Sequence, residues 1–193
     1  MINYFNKKKL SNVKFVSVRF TNIKISHLMK HFRNLLFIFS FFLFEQAFAQ
    51  DDATIVAIRK EYNRINGLKL SQQSYKYEKE GCVEDGKVNY FFEGKSIVKI
   101  TESGSIGDGS WTTSYFYRAG KPIFCYDFIE GGPAAGPTIK TEYRIYVKDG
   151  RAHRVMEGKK VMKSENISQE QIQRANNIYK AYATKKFGDA LCF

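Results

Sequence analysis

Proline, histidine and cysteine each occur only three times in this 193-residue chain, and tryptophan once. With 14 glycines besides, the composition lies outside the collagen-like and the Pro/Gly-rich disordered classes. Three cysteines are too few for a disulfide-dense scaffold, and no C-x-x-C pair is present. His153 is the only histidine beyond residue 49, so a zinc site of the usual Cys/His kind lacks a ligand set. No metal or cofactor is expected. No apolar run reaches the ~20 residues that a membrane-spanning helix needs; residues 35–44 (LLFIFSFFLF) make a run of ten.

A net charge of +12, from 31 Lys+Arg against 19 Asp+Glu, suggests a nucleic-acid partner until it is divided along the chain. Residues 1–49 hold 8 basic residues, 1 acid and 10 of the 17 phenylalanines. The remaining 144 residues carry 23 basic and 18 acidic side chains, a net +5 with no block of like charge. That is an ordinary balance for a secreted domain, and nucleic acid is set aside as a partner.

The charge-rich leader has its own logic. Met29, Lys30, His31, Phe32 and Arg33 form a short positive segment, the apolar run follows, and Ala47-Phe48-Ala49 is a small-x-small site. These are the three regions of a secretory signal peptide, with cleavage expected between Ala49 and Gln50. Residues 29–49 are thus a cleavable signal, residues 50–193 a single mature domain, and residues 1–28 an upstream extension from a misplaced start. Gln50 stands where a lipoprotein would need cysteine, so the mature chain is expected to be soluble, periplasmic or extracellular. An oxidising compartment permits one disulfide among Cys82, Cys125 and Cys192 in any of three pairings.

In the mature segment, Ile55, Ile58, Tyr62 and Ile65 fall on one helical face after Asp51-Asp52, with Gly67 as the stop. A second helix is expected from Ser168, capped by that hydroxyl with Gln171 three residues on. Its apolar stripe is Ile172, Ala175, Ile178, Tyr179 and Tyr182, and Gly188 follows Lys185 and Lys186. Between the helices, glycines at 86, 94, 120 and 150 punctuate short β-rich runs, a hairpin signal. The expected strands are 74–84, 87–93, 95–102, 111–118, 122–130, 139–148 and 151–157. The fold class is therefore α+β: helix, a seven-stranded antiparallel meander, and helix, with the helices on one face. Residues 103–110 and 131–138 are read as longer loops at the end of the sheet that carries the Gly86 turn.

Chemistry-bearing motifs are sparse. Residues 131–138 approach a phosphate-binding loop, but Pro137 stands where its lysine belongs. A hydrolase would have to use His153 as base with Cys125 or a nearby serine. Two hairpins are more informative. With Ala119-Gly120 as a two-residue loop, Trp111, Tyr115, Phe124 and Tyr126 share one face, either core or an aromatic platform for a glycan or peptide. Around Asp149-Gly150, Arg144, Tyr146, Lys148, Arg151 and His153 share a face suited to a carboxylate or phosphate. The expectation is a binding or interaction protein without catalytic activity. Its ligand is a small molecule, a glycan, or another secreted or envelope protein. The alternatives are an envelope hydrolase, or an inhibitor or chaperone of a secreted protein.

Overall fold

The computed structural model describes residues 53–133, 136–163 and 165–193. The signal segment, its cleavage site and Asp51-Asp52 lie outside the described residues. All described residues belong to one compact unit. A first helix, α1 (53–66), ends where the Gly67 N–H donates to the Asn63 and Arg64 carbonyls. Eight antiparallel strands follow in sequence order: β1 (Ser71–Lys79), β2 (Val83–Glu93), β3 (Ser96–Ile106), β4 (Gly109–Arg118), β5 (Lys121–Gly131), β6 (Ile139–Lys148), β7 (Arg151–Glu157) and β8 (Lys160–Met162). Two helices, α2 (Glu165–Thr184) and α3 (Phe187–Leu191), complete the chain.

The meander is open and has one strand more than expected, because Lys160–Met162 adds a short edge. Its tips at Ala119-Gly120 and Asp149-Gly150 place two successive residues at positive φ, the signature of a type I′ turn whose twist matches the strands. Two turn assignments move. Gly86 is inside β2, opposite Tyr77, and the β1–β2 turn is at residues 80–82. Residues 103–110 are a continuous hairpin closed at Gly107-Asp108, with Ile106 opposite Gly109. Glycine there supplies a positive φ, not a loop.

Besides a register shift between Tyr77 and Lys79 at the far end of the sheet, three one-residue bulges set the architecture. Pairings jump between Phe91 and Phe92, between Phe116 and Tyr117, and between Tyr146 and Val147. The extra residues are Val98, Ile123 and His153, all near the end of the sheet that carries the Gly94, Gly120 and Gly150 turns. A bulge bends its strand and re-aims the extra side chain. Val98 and Ile123 join Phe116, Phe124 and Tyr146 beneath Ile55, Ile58 and Ile65 of α1.

The opposite face carries Val88, Tyr90, Ile100, Tyr115, Tyr117, Cys125 and Ile145 against Ile172, Ala175, Ile178 and Ala181 of α2. The helices therefore lie on opposite faces, which corrects the one-face expectation. The bulges give the sheet an apolar patch on each side, and each patch needs its own cover. Buried tyrosines also fix α2: Tyr90 donates to the Ile178 carbonyl at 2.7 Å, and Tyr117 to that of Ala175 at 2.8 Å.

Helix α2 begins at Glu165, so Ser168 is inside it and its hydroxyl donates back to the Glu165 carbonyl at 2.9 Å. The helix thus begins three residues before the expected cap. Lys185, not a glycine, takes the left-handed conformation at its end (φ 59°), and Gly188 lies within α3. A disulfide joins Cys82 to Cys192 across 110 residues and ties the C-terminus to the β1–β2 turn. Cys125 is the free, buried thiol. Among the described residues, no helix is long and apolar enough to cross a membrane.

Candidate functional site

The β4–β5 and β6–β7 tips stand side by side, because β5 and β6 are paired neighbours. Each tip has two cations directly opposite each other: Arg118 faces Lys121, and Lys148 faces Arg151. Like charges in that position destabilise a hairpin. Several exposed cations elsewhere are paired with acids. Arg64 reaches Glu61 and Glu93 at 2.9 and 2.8 Å, Lys79 reaches Asp189 at 3.0 Å, and Lys140 reaches Glu130 at 2.6 Å. None of the four tip cations makes a side-chain ion pair or hydrogen bond among the described residues.

Arg118, Lys121 and Lys148 line a groove of about 900 Å³ whose apolar part is Ile58 of α1 with Pro122, Ile123 and Val147 of the sheet. Arg151 lines a second groove of about 710 Å³, bordered by Glu165, Gln169 and Gln173 of α2. The two meet at Gly150 and Asn176.

Of the basic group expected around Tyr146, Lys148 and Arg151 thus reach this end of the molecule. The other three are placed differently. Tyr146 is 3% exposed in the core under α1, where the Arg59 guanidinium lies 5.7 Å above its ring. Arg144 pairs with Glu142 at 2.7 Å and donates to the Gly158 carbonyl. His153 is the half-buried extra residue of the β7 bulge, and Arg154 takes the place opposite Tyr146. The bulge shifts the register by one from that position onward.

The same effect divides the expected aromatic platform. Beyond the bulge Tyr115 opposes Cys125, and Phe116 opposes Phe124. Trp111 and Tyr115 accordingly face α2, whereas Phe124 and Tyr126 face the α1 side. A strip shared by all four does not form.

At the opposite end of the sheet lies a second polar constellation. Glu102, Thr113 and Asp127 sit in one row across β3, β4 and β5, each opposite the next. All three are at most 2% exposed. Glu102 accepts hydrogen bonds from the Tyr77 hydroxyl and from the Trp111 indole N–H, the latter at 2.8 and 2.9 Å to its two oxygens. The Arg174 guanidinium of α2 stands 3.7 Å away. Burial pushes the Glu102 carboxyl up, and Tyr77, Arg174 and Trp111 restrain the rise. Asp127 accepts from the Thr113 hydroxyl at 2.7 Å and the Gln171 amide at 2.9 Å; burial raises its pKa too.

Two glycines make room for this network. A side chain at Gly86 would collide with the Tyr77 ring, and one at Gly104 with the Trp111 ring. Both rings lie across a neighbouring strand and aim their donors at Glu102. Gly104→Ala is expected to cost about 1–3 kcal/mol by overpacking and to displace the indole from Glu102. A red shift of Trp111 emission together with a lowered urea midpoint would register both effects.

Sequence reading passed over Glu102 and Tyr77. Glu102 was placed at a strand end beside a supposed loop, and nothing local marks a buried acid. The Gly86–Tyr77 and Gly104–Trp111 pairs are the signal that locates them, and it is legible only once the register is known.

Cys125 is fully buried, and burial followed by the nearby Asp127 pushes its thiol well above the usual range. A nucleophile needs the thiolate, so this cysteine is a packing residue. Among the described residues, no group of three or more His, Cys, Asp and Glu is gathered as for a metal ion. No protein-family model, curated protein or solved structure matches the chain.

Proposed function

We propose that this is an exported binding protein, without catalytic activity, that holds an anionic ligand in the groove between α1 and the β4–β5 and β6–β7 tips. The observation that carries the reading is the two directly opposed like-charge pairs, Arg118–Lys121 and Lys148–Arg151, which form no salt bridge among the described residues, although Glu61 acts on Arg118 from a distance and Asp149 also lines the groove. They destabilise the hairpins on their own, and an anion bridging the tips removes that repulsion.

Arginine offers planar paired donors, and lysine a point charge, to phosphate or carboxylate oxygens. The exposed Ala53 and Ala57 and the half-buried Ile123 offer apolar surface to a ligand with an apolar group attached to its anion. The residues lining this groove include neither histidine nor cysteine, which favours binding over turnover. The signal segment in the sequence and the Cys82–Cys192 bridge support export, since such bonds persist in oxidising compartments.

Calorimetry with octyl phosphate and with inorganic phosphate tests the reading. Octyl phosphate is expected to bind more tightly than phosphate, with an affinity that falls as salt rises. The double variant Arg118→Glu/Lys148→Glu is expected to lose at least tenfold in affinity, about 1.4 kcal/mol, while keeping its circular dichroism spectrum. Equal binding by the folded variant would remove the groove from this role.

A further inference from the structure

A smaller pocket lies at the other end of the molecule, apart from the basic groove. It has a volume of about 230 Å³ and is lined by Trp111, Thr113, Asp127 and Ile129 of the sheet, Glu170, Gln171 and Arg174 of α2, and Cys82 of the disulfide. We infer that it binds one saccharide ring, stacked on the free face of Trp111 with its hydroxyls on Asp127, Gln171 and Arg174.

The volume falls below the ~300 Å³ at which drug-sized sites begin, so the occupant is a single small ring. The indole is held in one orientation. Its N–H is taken up by both oxygens of Glu102, and one of its faces covers Gly104. What Trp111 has left for a ligand is its other π face, which suits the C–H side of a sugar and not a hydrogen-bond acceptor.

The groups around that face both donate and accept. Asp127 spends one hydrogen bond on each oxygen, to Thr113 and Gln171, and a carboxylate has about four acceptor positions. Gln171 accepts from Tyr115 at 3.2 Å and donates one amide hydrogen to Asp127, which leaves its second amide hydrogen. Arg174 donates to the Leu191 carbonyl at 2.9 Å and stands beside Glu102, with five N–H groups in all. A hydroxyl is the ligand group that answers acceptors and donors together, and a ring of hydroxyls answers all three residues.

A buried ionic network is a poor route to stability, because well-packed apolar residues of the same volume serve as well or better. The placement of Glu102 behind the indole is accounted for when its task is to orient Trp111. Arg174 also joins the pocket to the C-terminal segment, which Asn177 further holds through the Ala190 carbonyl at 3.1 Å.

Trp111 is the sole tryptophan, so its emission reads this pocket directly. The purified protein would be titrated with glucose, glucosamine and methylammonium, each to about 100 mM, which detects Kd values in the millimolar range. The expected result is a saturable change in emission with at least one of the sugars. It should weaken at least tenfold in Asp127→Asn, and also in Ile129→Arg, which obstructs the mouth at a position already 40% exposed. The second variant keeps the test valid should Asp127→Asn fail to fold. A response to methylammonium alone would show a site for ammonium, not for sugar, and overturn the inference. So would silence with all three probes, or an undiminished sugar response in folded Ile129→Arg.

Discussion

Glu102→Ala is expected to be the most damaging single substitution in this chain. The carboxylate is fully buried and collects the Tyr77 hydroxyl, the Trp111 indole and the Arg174 guanidinium. Alanine would leave a cation and two donors without their acceptor, and removing one partner of a buried ion pair costs about 3–5 kcal/mol. Glu102→Gln keeps the shape and one acceptor, so about 1–2 kcal/mol is expected. Equilibrium urea unfolding at neutral pH measures both losses. A loss below about 1 kcal/mol for alanine would show that the network contributes little to holding α2 on the sheet.

The same pair of variants gives a pH dependence with a definite sign. Burial raises the Glu102 pKa above its ordinary 4.5, so the folded protein binds that proton more tightly than the unfolded chain does. Stability then falls as pH rises from 4.5 through the folded-state pKa, and levels off above it. Glutamine cannot titrate. The stability of the wild type relative to Glu102→Gln is therefore expected to improve on acidification toward 4.5. A flat difference would mean that Glu102 keeps its ordinary pKa. The half-buried Glu61 and the exposed Glu93 and Asp189 are shifted downward by Arg64 and Lys79; they act in the opposite sense in both proteins and cancel in the difference.

Loss of the disulfide should rank beside Glu102. Cys82 and Cys192 close a loop of 110 residues, and in the chain-entropy account a loop of that order restricts the unfolded state by about 4–5 kcal/mol. Cys82→Ser/Cys192→Ser is expected to lose about 3–5 kcal/mol, or roughly 10 °C in melting temperature for a domain of this size. The bridge also anchors α3, whose Phe187 packs against Tyr75, Tyr77 and Tyr90. Hydrogen exchange in the double variant should therefore rise first in residues 185–193. A melting temperature unchanged by reductant would contradict this assignment.

What could be read before the structure, and what could not, divides along the range of the forces involved. The period of Ile55, Ile58 and Ile65, and that of Ile172, Ala175 and Ile178, marked both helices, because each stripe repeats within a few residues. Ala119-Gly120 and Asp149-Gly150 marked two hairpin tips, because glycine tolerates the φ that those turns require. The signs that misled were equally local. Gly86 and Gly104 resemble turn residues, yet they sit in strands to let an aromatic ring lie across them. Ser168 resembles a helix cap, although the backbone is already helical at Glu165.

The candidate sites were legible only in part for the same reason. Lys148 and Arg151 were found because they flank a turn whose register is fixed within four residues. Trp111 and Tyr115 were joined to Phe124 and Tyr126 because a bulge leaves no mark in sequence. One extra residue in β5 reverses every face beyond it.

By itself, then, the sequence determined an α+β chain of two amphipathic helices around an antiparallel meander with its polar tips. Local periodicity and turn chemistry specify those elements without reference to the rest of the molecule. Tertiary structure alone decided that the helices take opposite faces, that Cys82 pairs with Cys192, and that Glu102 lies buried beneath Trp111. Each of these depends on residues brought together from distant parts of the chain, and the bulges decide which face of the sheet each strand residue takes.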